Sequence, residues 1–321
     1  MKILIMTLVA VWVLQGSALA APAYSKSKSQ VKAQAKFHAK SAPRSYRKAR
    51  FQVRPQPFRL ARPDQDANGD PNLASSAVLV IDQTGGRQLY AKNITAVQPI
   101  ASITKLMTAM VVLDAKLDMA EAVAISDDDV DGLKHTRSRL TVGTVLARDD
   151  LMRLALMASE NRAAAALARA YPGGLPALAH AMNQKAAELG MHRTRFVDST
   201  GLSSENVSTA EDLAKMVAAA YRYPVIQEYT TLTGYAVHSA GGRVLAYNNS
   251  NGLVKSDQWQ IDVSKTGYIA EAGRCLVMQA RIAATPVVIV LLDSWGKQTR
   301  IGDANRIRKW IESKLVPPAP G

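Results

Sequence analysis

Ser102 and Lys105 stand three residues apart in the stretch ASITKLMTAM, a spacing that suits acid–base chemistry. Four other S-x-x-K pairs occur: three in a lysine-rich N-terminal segment, and Ser294 with Lys297 in a predicted turn that contains Gly296. Only Ser102 and Lys105 begin a helical pattern of apolar residues, and residues three apart on a helix share one face. The lysine amine can therefore take the serine proton, as in nucleophilic catalysis. The Ser102 backbone N–H, near the helix N-terminus, is free to donate to a developing oxyanion.

Two further motifs offer the partners that such a pair needs. A lysine accepts a proton only when it is neutral, so its pKa must be lowered from about 10.4 by burial or by another cation. Lys265, in the single K-T-G of the chain, is the candidate cation. Ser159 and Asn161, in the sequence ASEN between two predicted helices, offer a hydroxyl to relay the proton and an amide to orient a substrate. A second S-E-N, at 204–206, follows DSTGL and precedes a capping signal, so we assign it to loop structure.

Alternating strand and helix patterns from residue 75 onward position these motifs. Two β-type runs joined by Gly85 and Gly86 predict a hairpin. Helices are predicted after Pro99, over 148–158, after Asn161, in a segment ending at Gly190, from a Ser208/Glu211 capping box, and over 301–315. Further strands are predicted in YAVHS, RVLAYN, WQIDVSKTG, RCLVMQARI and PVVIVLLD. Strands at both ends with helices between them predict an α/β (α+β) fold with one sheet built from both chain ends.

In this order and at these intervals, SITK, SEN and KTG resemble the motifs of the penicillin-recognising serine enzymes. The stretches PIASITKLMTAMVVLDA, LALMASENRAAAALA and VSKTGYIAEAGRCLVM narrow the similarity to the low-molecular-mass penicillin-binding proteins of the D-alanyl-D-alanine carboxypeptidase family, peptidase family S11. The glutamate inside S-E-N and the stretch NRAAA…YPGG are most similar to its D-alanyl-D-alanine endopeptidase branch, the penicillin-binding protein 7 type. The resemblance covers residues 75–314. It implies a β-lactamase/transpeptidase-like fold, with an antiparallel sheet flanked by helices and a helical subdomain over about 112–225.

The resemblance also implies a role for each motif residue. Ser102 is the expected nucleophile, Lys105 the base, and Ser159 the relay of a proton to the leaving amine. The substrate-binding residues are expected to be Asn161, Lys265, Thr266, Gly267 and Tyr268, with the backbone N–H groups of Ser102 and Tyr268 holding the oxyanion. Neither a cofactor nor a metal is implied.

Three functions fit this set of residues. The favoured one is a periplasmic endopeptidase that opens D-alanyl-diaminopimelate cross-links in peptidoglycan and is inhibited covalently by penicillins. The alternatives are a D-alanyl-D-alanine carboxypeptidase that trims pentapeptide stems and a wall-binding protein without turnover. A β-lactamase is disfavoured, because class A enzymes carry an E-x-x-L-N segment and the corresponding region here reads RFVDSTGLSSEN.

The N-terminal residues carry most of the positive charge and predict the cellular compartment. Most of the net charge of +14 comes from a segment, 21–63, with twelve Lys and Arg and no acidic residue. Residues 1–20 combine Lys2, an apolar run and the small-x-small site at 18–20, which predicts an export signal cleaved near Ala20 and a periplasmic protein. Export disfavours nucleic acid as the partner of the basic tail and favours the anionic envelope surface. The single cysteine, Cys275, lies in a predicted buried strand, which favours a packing role over a reactive thiol.

The predicted domains are a signal peptide (1–20), a basic linker (21–70), a peptidase domain (71–316) and a Pro-rich tail (317–321). Relatives of the carboxypeptidase type usually carry a further C-terminal β domain and an anchoring helix, and neither is expected here. That difference is a further reason to favour the endopeptidase branch.

Overall fold

The computed structural model describes residues 63–315. The predicted signal peptide, most of the basic linker and the Pro-rich tail lie outside the described residues, and the predicted domain boundaries stay predictions. Within 63–315 the strands are β1 (Ala77–Asp82), β2 (Gln88–Lys92), β3 (Gln98–Pro99), β4 (Ala122–Ala124), β5 (Val145–Ala147), β6 (Val207–Ser208), β7 (Gly234–His238), β8 (Val244–Asn248), β9 (Gln260–Ile269), β10 (Gly273–Ile282) and β11 (Thr285–Ser294). The α-helices are α1 (Thr104–Asp114), α2 (Arg148–Met157), α3 (Asn161–Arg169), α4 (Gly174–Glu188), α5 (Ala210–Ala220), α6 (Pro224–Thr231) and α7 (Thr299–Leu315).

A five-stranded antiparallel sheet organises the fold, with strand order β2-β1-β11-β10-β9. Strand β1 pairs with β11 along its whole length, from Ala77 opposite Leu292 to Asp82 opposite Val287. This confirms the prediction of one sheet assembled from both ends of the chain. Strand β9, which carries the K-T-G sequence, lies at an edge, so it has no neighbouring strand of this sheet on its outer side.

Both faces of the sheet are buried, and the alternation of side chains along each strand explains how. In β11, for example, Val288 and Val290 belong to one apolar cluster while Val287 and Ile289 belong to another. Helices α1 to α6 contribute to the first cluster and α7 covers the second with Ala304, Ile307, Trp310 and Ile311. The sheet is therefore sandwiched between helices, and helix α1 is held in the middle of the larger core.

The structure corrects one sequence prediction, the cap of α5, and adds one helix, α6. Helix α5 is capped by Thr209, whose hydroxyl accepts a hydrogen bond from the Asp212 backbone N–H at 3.1 Å, and not by the predicted Ser208/Glu211 box. Adjacent Ser and Thr residues both suit an N-cap, so the sequence left a one-residue ambiguity. Helix α6 was not predicted; Pro224 at its first turn suits a helix start because proline needs no N–H acceptor there.

Several predictions are confirmed. The β1–β2 hairpin forms, and the predicted helices after Pro99 and Asn161 and over 148–158 correspond to α1, α3 and α2. Cys275 is fully buried in β10, and burial raises the pKa of its thiol to about 11, which suits a packing role. Within residues 63–315, no helix is both long and apolar enough to span a bilayer.

Candidate active site

Ser102 lies in a single 3-10 turn, Ala101–Ile103, that leads directly into α1. The residue before it, Ala101, is fully buried and adopts a left-handed backbone conformation with φ 48°. Non-glycine residues rarely adopt this conformation, and such strain persists only where the surrounding structure enforces it. The turn presents the half-buried Ser102 side chain to a groove.

Two glycines from different later segments of the chain, Gly201 and Gly267, approach this turn closely. A Cβ on Gly201, which has φ 80°, would lie 1.9 Å from the Ala101 carbonyl oxygen and 2.8 Å from the Ser102 nitrogen. A Cβ on Gly267 would lie 2.9 Å from the Ile100 carbonyl oxygen and 3.1 Å from the Ser102 nitrogen. Any side chain at either position would push the turn away, so the two glycines enforce the position of Ser102.

Lys105 lies beside Ser102, as the helical spacing predicted. Its amine donates hydrogen bonds to Ser102 Oγ at 2.8 Å, to Asn161 Oδ1 at 2.7 Å and to the Thr200 carbonyl oxygen at 2.6 Å. The residue is only 1% exposed. All three ammonium protons thus have acceptors, and the amine is held rigidly against the serine hydroxyl.

Burial dominates the electrostatics of Lys105. It lowers the pKa of the amine from 10.5 to about 7, against the opposing effect of the Asp198 and Glu160 carboxylates. The sequence offered burial or the cation of Lys265 as the cause, and the structure favours burial. A large fraction of Lys105 is therefore neutral near pH 7 and able to accept a proton.

Lys265 is also 1% exposed, on β9, and its amine donates to the Thr266 carbonyl oxygen at 3.0 Å. Burial lowers its pKa well below 10.5, and the nearby charges of Lys105 and Arg300 lower it further. Two lysines buried close together cost free energy of folding, so their presence indicates a role in chemistry.

The structure brings the S-E-N motif to the same groove. Ser159 lies at the junction of α2 and α3 in a left-handed conformation, φ 60°, and lines the groove with Ser102. Within residues 63–315 the Ser159 hydroxyl makes no hydrogen bond. Asn161 is more engaged than predicted: besides accepting from Lys105, its Nδ2 donates to Thr136 Oγ1 at 2.9 Å. It therefore positions the Lys105 amine and ties it to the loop 131–140.

The K-T-G strand forms the opposite wall of the groove. Thr266, Gly267 and Tyr268 all line it, and the Thr266 hydroxyl donates to Ser250 Oγ at 2.8 Å. All eight residues predicted for the site are thus brought together by the fold, six of them along one groove and the two lysines buried behind it.

Sequence reasoning missed four residues of this site. Thr136, Leu202 and Arg300 also line the groove, and Gly201 supports the serine turn. Arg300 Nη1 donates to the Gly267 carbonyl oxygen at 3.1 Å, which places a guanidinium beside the K-T-G strand. The DSTGL sequence, which contains Gly201 and Leu202, was not assigned to the site.

The second S-E-N serves the loop, as expected. Asn206 is fully buried, and its Oδ1 accepts from the backbone N–H groups of Val197 and Asp198. The Asp198 carboxylate accepts in turn from the backbone N–H groups of Thr200, Gly201 and Ser203. With its oxygens engaged in this way, Asp198 holds the loop against Ser102 and is poorly placed to activate a water molecule.

Comparisons with known proteins agree with this geometry. The D-alanyl-D-alanine carboxypeptidase family, peptidase S11, matches residues 64–296. The chain is 47% identical to a D-alanyl-D-alanine endopeptidase of Pseudomonas aeruginosa over 249 residues, covering 77% of this chain and 80% of the relative. It is 46% identical to a D-alanyl-D-alanine endopeptidase of Escherichia coli over 251 residues, covering 78% and 81% of the two chains.

Among solved structures, the Streptomyces K15 DD-transpeptidase superposes with a TM-score of 0.69 at 27% identity, covering 75% of this chain and 97% of that one. This similarity confirms the predicted transpeptidase-like fold. From the sequence match and the fold together, the chain belongs to the D-alanyl-D-alanine carboxypeptidase family of serine peptidases, peptidase family S11.

Proposed function

We propose that this protein is a serine D-alanyl-D-alanine endopeptidase that hydrolyses D-alanyl-diaminopimelate cross-links in peptidoglycan through an acyl-enzyme. The observation that carries the proposal is the buried Lys105 amine, 2.8 Å from Ser102 Oγ and with a pKa of about 7. The two relatives at 46–47% identity, both named D-alanyl-D-alanine endopeptidase, support the choice of reaction.

The first half of the reaction forms the acyl-enzyme. Ser102 Oγ attacks the carbonyl carbon of the D-alanyl residue while Lys105 takes the hydroxyl proton. The backbone N–H groups of Ser102 and Tyr268, brought close by Gly267, stabilise the negative charge on the carbonyl oxygen. The C–N bond then breaks; Ser159 passes its hydroxyl proton to the departing amine and takes the proton held by Lys105, which leaves the lysine neutral again. The strand that carried the amine leaves.

The second half releases the donor stem. A water molecule attacks the ester carbonyl, neutral Lys105 takes its proton, and the Ser102 hydroxyl is restored. With Asp198 occupied by backbone N–H groups, the described loop has no carboxylate placed like the deacylating glutamate of class A β-lactamases. A penicillin is therefore expected to stay bound to Ser102 as a long-lived ester.

The free edge of β9 provides the docking surface for the substrate. An extended peptide can pair with this edge as an added strand, which places its carbonyl beside Ser102. The diaminopimelyl residue after the scissile bond bears a carboxylate next to its amide nitrogen. Arg300, beside the K-T-G strand, is the cation placed to bind that carboxylate.

Replacing Arg300 with glutamine should lower kcat/KM for cross-linked dimers about 10²-fold, because a partly buried charge pair loses one partner. Dimers amidated at this carboxylate provide the control. The wild type should lose activity on them, whereas the variant should cleave the amidated and unmodified dimers equally well. A tenfold preference of the variant for the carboxylate form would contradict this role.

Activity should rise with pH through the pKa of Lys105. Below about 7 the neutral fraction of a lysine grows roughly tenfold per pH unit, and above its pKa it is constant. The rate of acylation by a fluorescent penicillin should therefore increase up to about pH 7 and then level off. Stopped-flow labelling from pH 5 to 9 measures this, and a flat profile over that range would contradict the assignment of Lys105 as base.

The function itself is tested with purified muropeptides. The protein is incubated separately with cross-linked dimers and with pentapeptide monomers, and products are analysed by mass spectrometry. The proposal requires conversion of dimers to monomers. Intact dimers, together with monomers that lose D-alanine, would favour the carboxypeptidase instead. Absence of turnover and of penicillin labelling would favour a binding protein.

We also propose export to the periplasm, supported by the signal-like composition of residues 1–20. The basic segment 21–63 would then face an envelope rich in anionic groups, and its twelve cations are suited to electrostatic attachment there.

A further inference from the structure

A second cleft lies beside the catalytic groove, and Tyr268 borders both. We call it the Trp295 cleft; its other walls include Gly273, Arg274, Trp295 and Lys297. Strand register explains how these residues meet, because Tyr268 on β9 pairs with Arg274 on β10, which pairs with Ser294 at the end of β11. The cleft therefore continues the groove across the end of the sheet.

Trp295 is the most exposed large apolar side chain of the cleft. It is 80% exposed, and Tyr268 beside it is 56% exposed. The Thr299 hydroxyl, at the start of α7, donates to the backbone carbonyl oxygen of Trp295. The indole ring of Trp295 is therefore exposed to solvent next to the active site. Exposed aromatic side chains are typical of binding surfaces.

The cleft is also positively charged. The Arg274 guanidinium stacks over the Tyr268 ring, with Cζ 4.4 Å from the ring centroid. Neither Arg274 nor Lys297 forms an ion pair with a carboxylate of the described residues. Burial lowers the pKa of Arg300, and the nearby charge of Arg274 lowers it further. The one acidic residue of the lining, Asp293, accepts a hydrogen bond from the Ser76 hydroxyl at 2.8 Å. The free cations therefore outnumber the acid.

We propose that the Trp295 cleft binds the leaving strand of the cross-link, an inference that rests on the proposed endopeptidase function. The leaving diaminopimelyl residue continues as a hydrocarbon chain into a second stem peptide that bears free carboxylates. The hydrocarbon chain packs against Trp295 and Tyr268, and the carboxylates pair with Arg274 and Lys297. In a carboxypeptidase reaction the leaving group is a single D-alanine, which ends at the groove and does not extend into this cleft.

The inference predicts a selective defect in variants of the cleft. In Trp295→Ala and in Lys297→Gln, kcat/KM for cross-linked dimers should fall about tenfold, mainly through KM. A fluorescent penicillin has no leaving strand, so its rate of acylation should not change. The ratio of kcat/KM for dimers to this acylation rate should therefore fall by the same factor. Trp295→Phe should recover most of the loss. The control is Lys309→Gln, on an exposed part of α7 far from the cleft residues, which should leave the ratio unchanged.

The outcomes separate this inference from the proposed function. A wild-type protein that cleaves no dimers would contradict the function. A wild type that cleaves dimers, with Trp295→Ala and Lys297→Gln keeping the wild-type ratio, would overturn the cleft assignment alone. Dimers stripped of their sugars complete the test: an equal defect on them supports peptide binding, whereas a defect that disappears would show that the cleft binds glycan instead and would overturn the inference.

Discussion

In the Lys105→Met variant, we expect acylation by a fluorescent penicillin and cleavage of muropeptide dimers to fall about 10³- to 10⁴-fold. Methionine fills the space of the lysine stem but cannot accept the Ser102 proton, and general-base catalysis contributes about 10²- to 10⁴-fold. The loss should be near the upper end, because the amine also orients the hydroxyl at 2.8 Å and holds Asn161 at 2.7 Å. Labelling kinetics by gel fluorescence measure the acylation step directly.

The Lys105→Arg variant distinguishes a base from a mere cation. Arginine keeps the positive charge but is not deprotonated in proteins, so it should be as inactive as methionine. Activity within tenfold of wild type in Lys105→Arg would contradict the role of the lysine as base. Lys215→Met, at an exposed lysine of α5, is the matched control and should label normally. Circular dichroism establishes that each variant is folded.

The Gly201→Ala variant should lose about 10²-fold in acylation although residue 201 carries no reactive group. The added Cβ would lie 1.9 Å from the Ala101 carbonyl oxygen, so the turn bearing Ser102 must move. A displacement of about 1 Å at a reacting atom can cost 10²-fold in rate. The φ of 80° adds strain of about 1–2 kcal/mol, so the melting temperature should also fall. Labelling kinetics and thermal melts measure the two effects.

Gly143→Ala is a close control for this variant. Gly143 has a similar φ of 84°, but a Cβ there would meet no atom within 4 Å. It should lower the melting temperature through backbone strain and leave labelling unchanged. If Gly201→Ala also labelled at the wild-type rate, the loop would not be positioning Ser102.

The sequence predicted the site residues whose positions depend on the pattern within a single helix or strand. Ser102 and Lys105 are one turn apart, so helical spacing alone places the amine beside the hydroxyl. The S-E-N sequence was recognisable because it lies between two patterned helices, α2 and α3, and the K-T-G sequence because it lies in a strongly patterned strand, β9. The prediction that one sheet combines both ends of the chain followed from the apolar strands found there.

The parts that were missed depend on contacts between distant segments. Gly201 acts on a turn about 100 residues earlier, and nothing in DSTGL specifies that approach. Arg300 reaches the groove because α7 starts beside β9, a relation set by packing of the whole sheet. The left-handed conformation of Ala101 is likewise imposed by its neighbours, since alanine by itself disfavours it.

The order of the strands also sets when during synthesis this protein can become reactive. Helix α1, with the serine and the lysine, is made early, but strands β9, β10 and β11 are made near the end, and the latter two separate the K-T-G strand from β1. Until those strands are complete, the groove lacks one wall and Lys105 lacks much of the burial that lowers its pKa. A nascent or truncated chain should therefore carry an unreactive serine, and a penicillin should label only chains that have folded to their last strand.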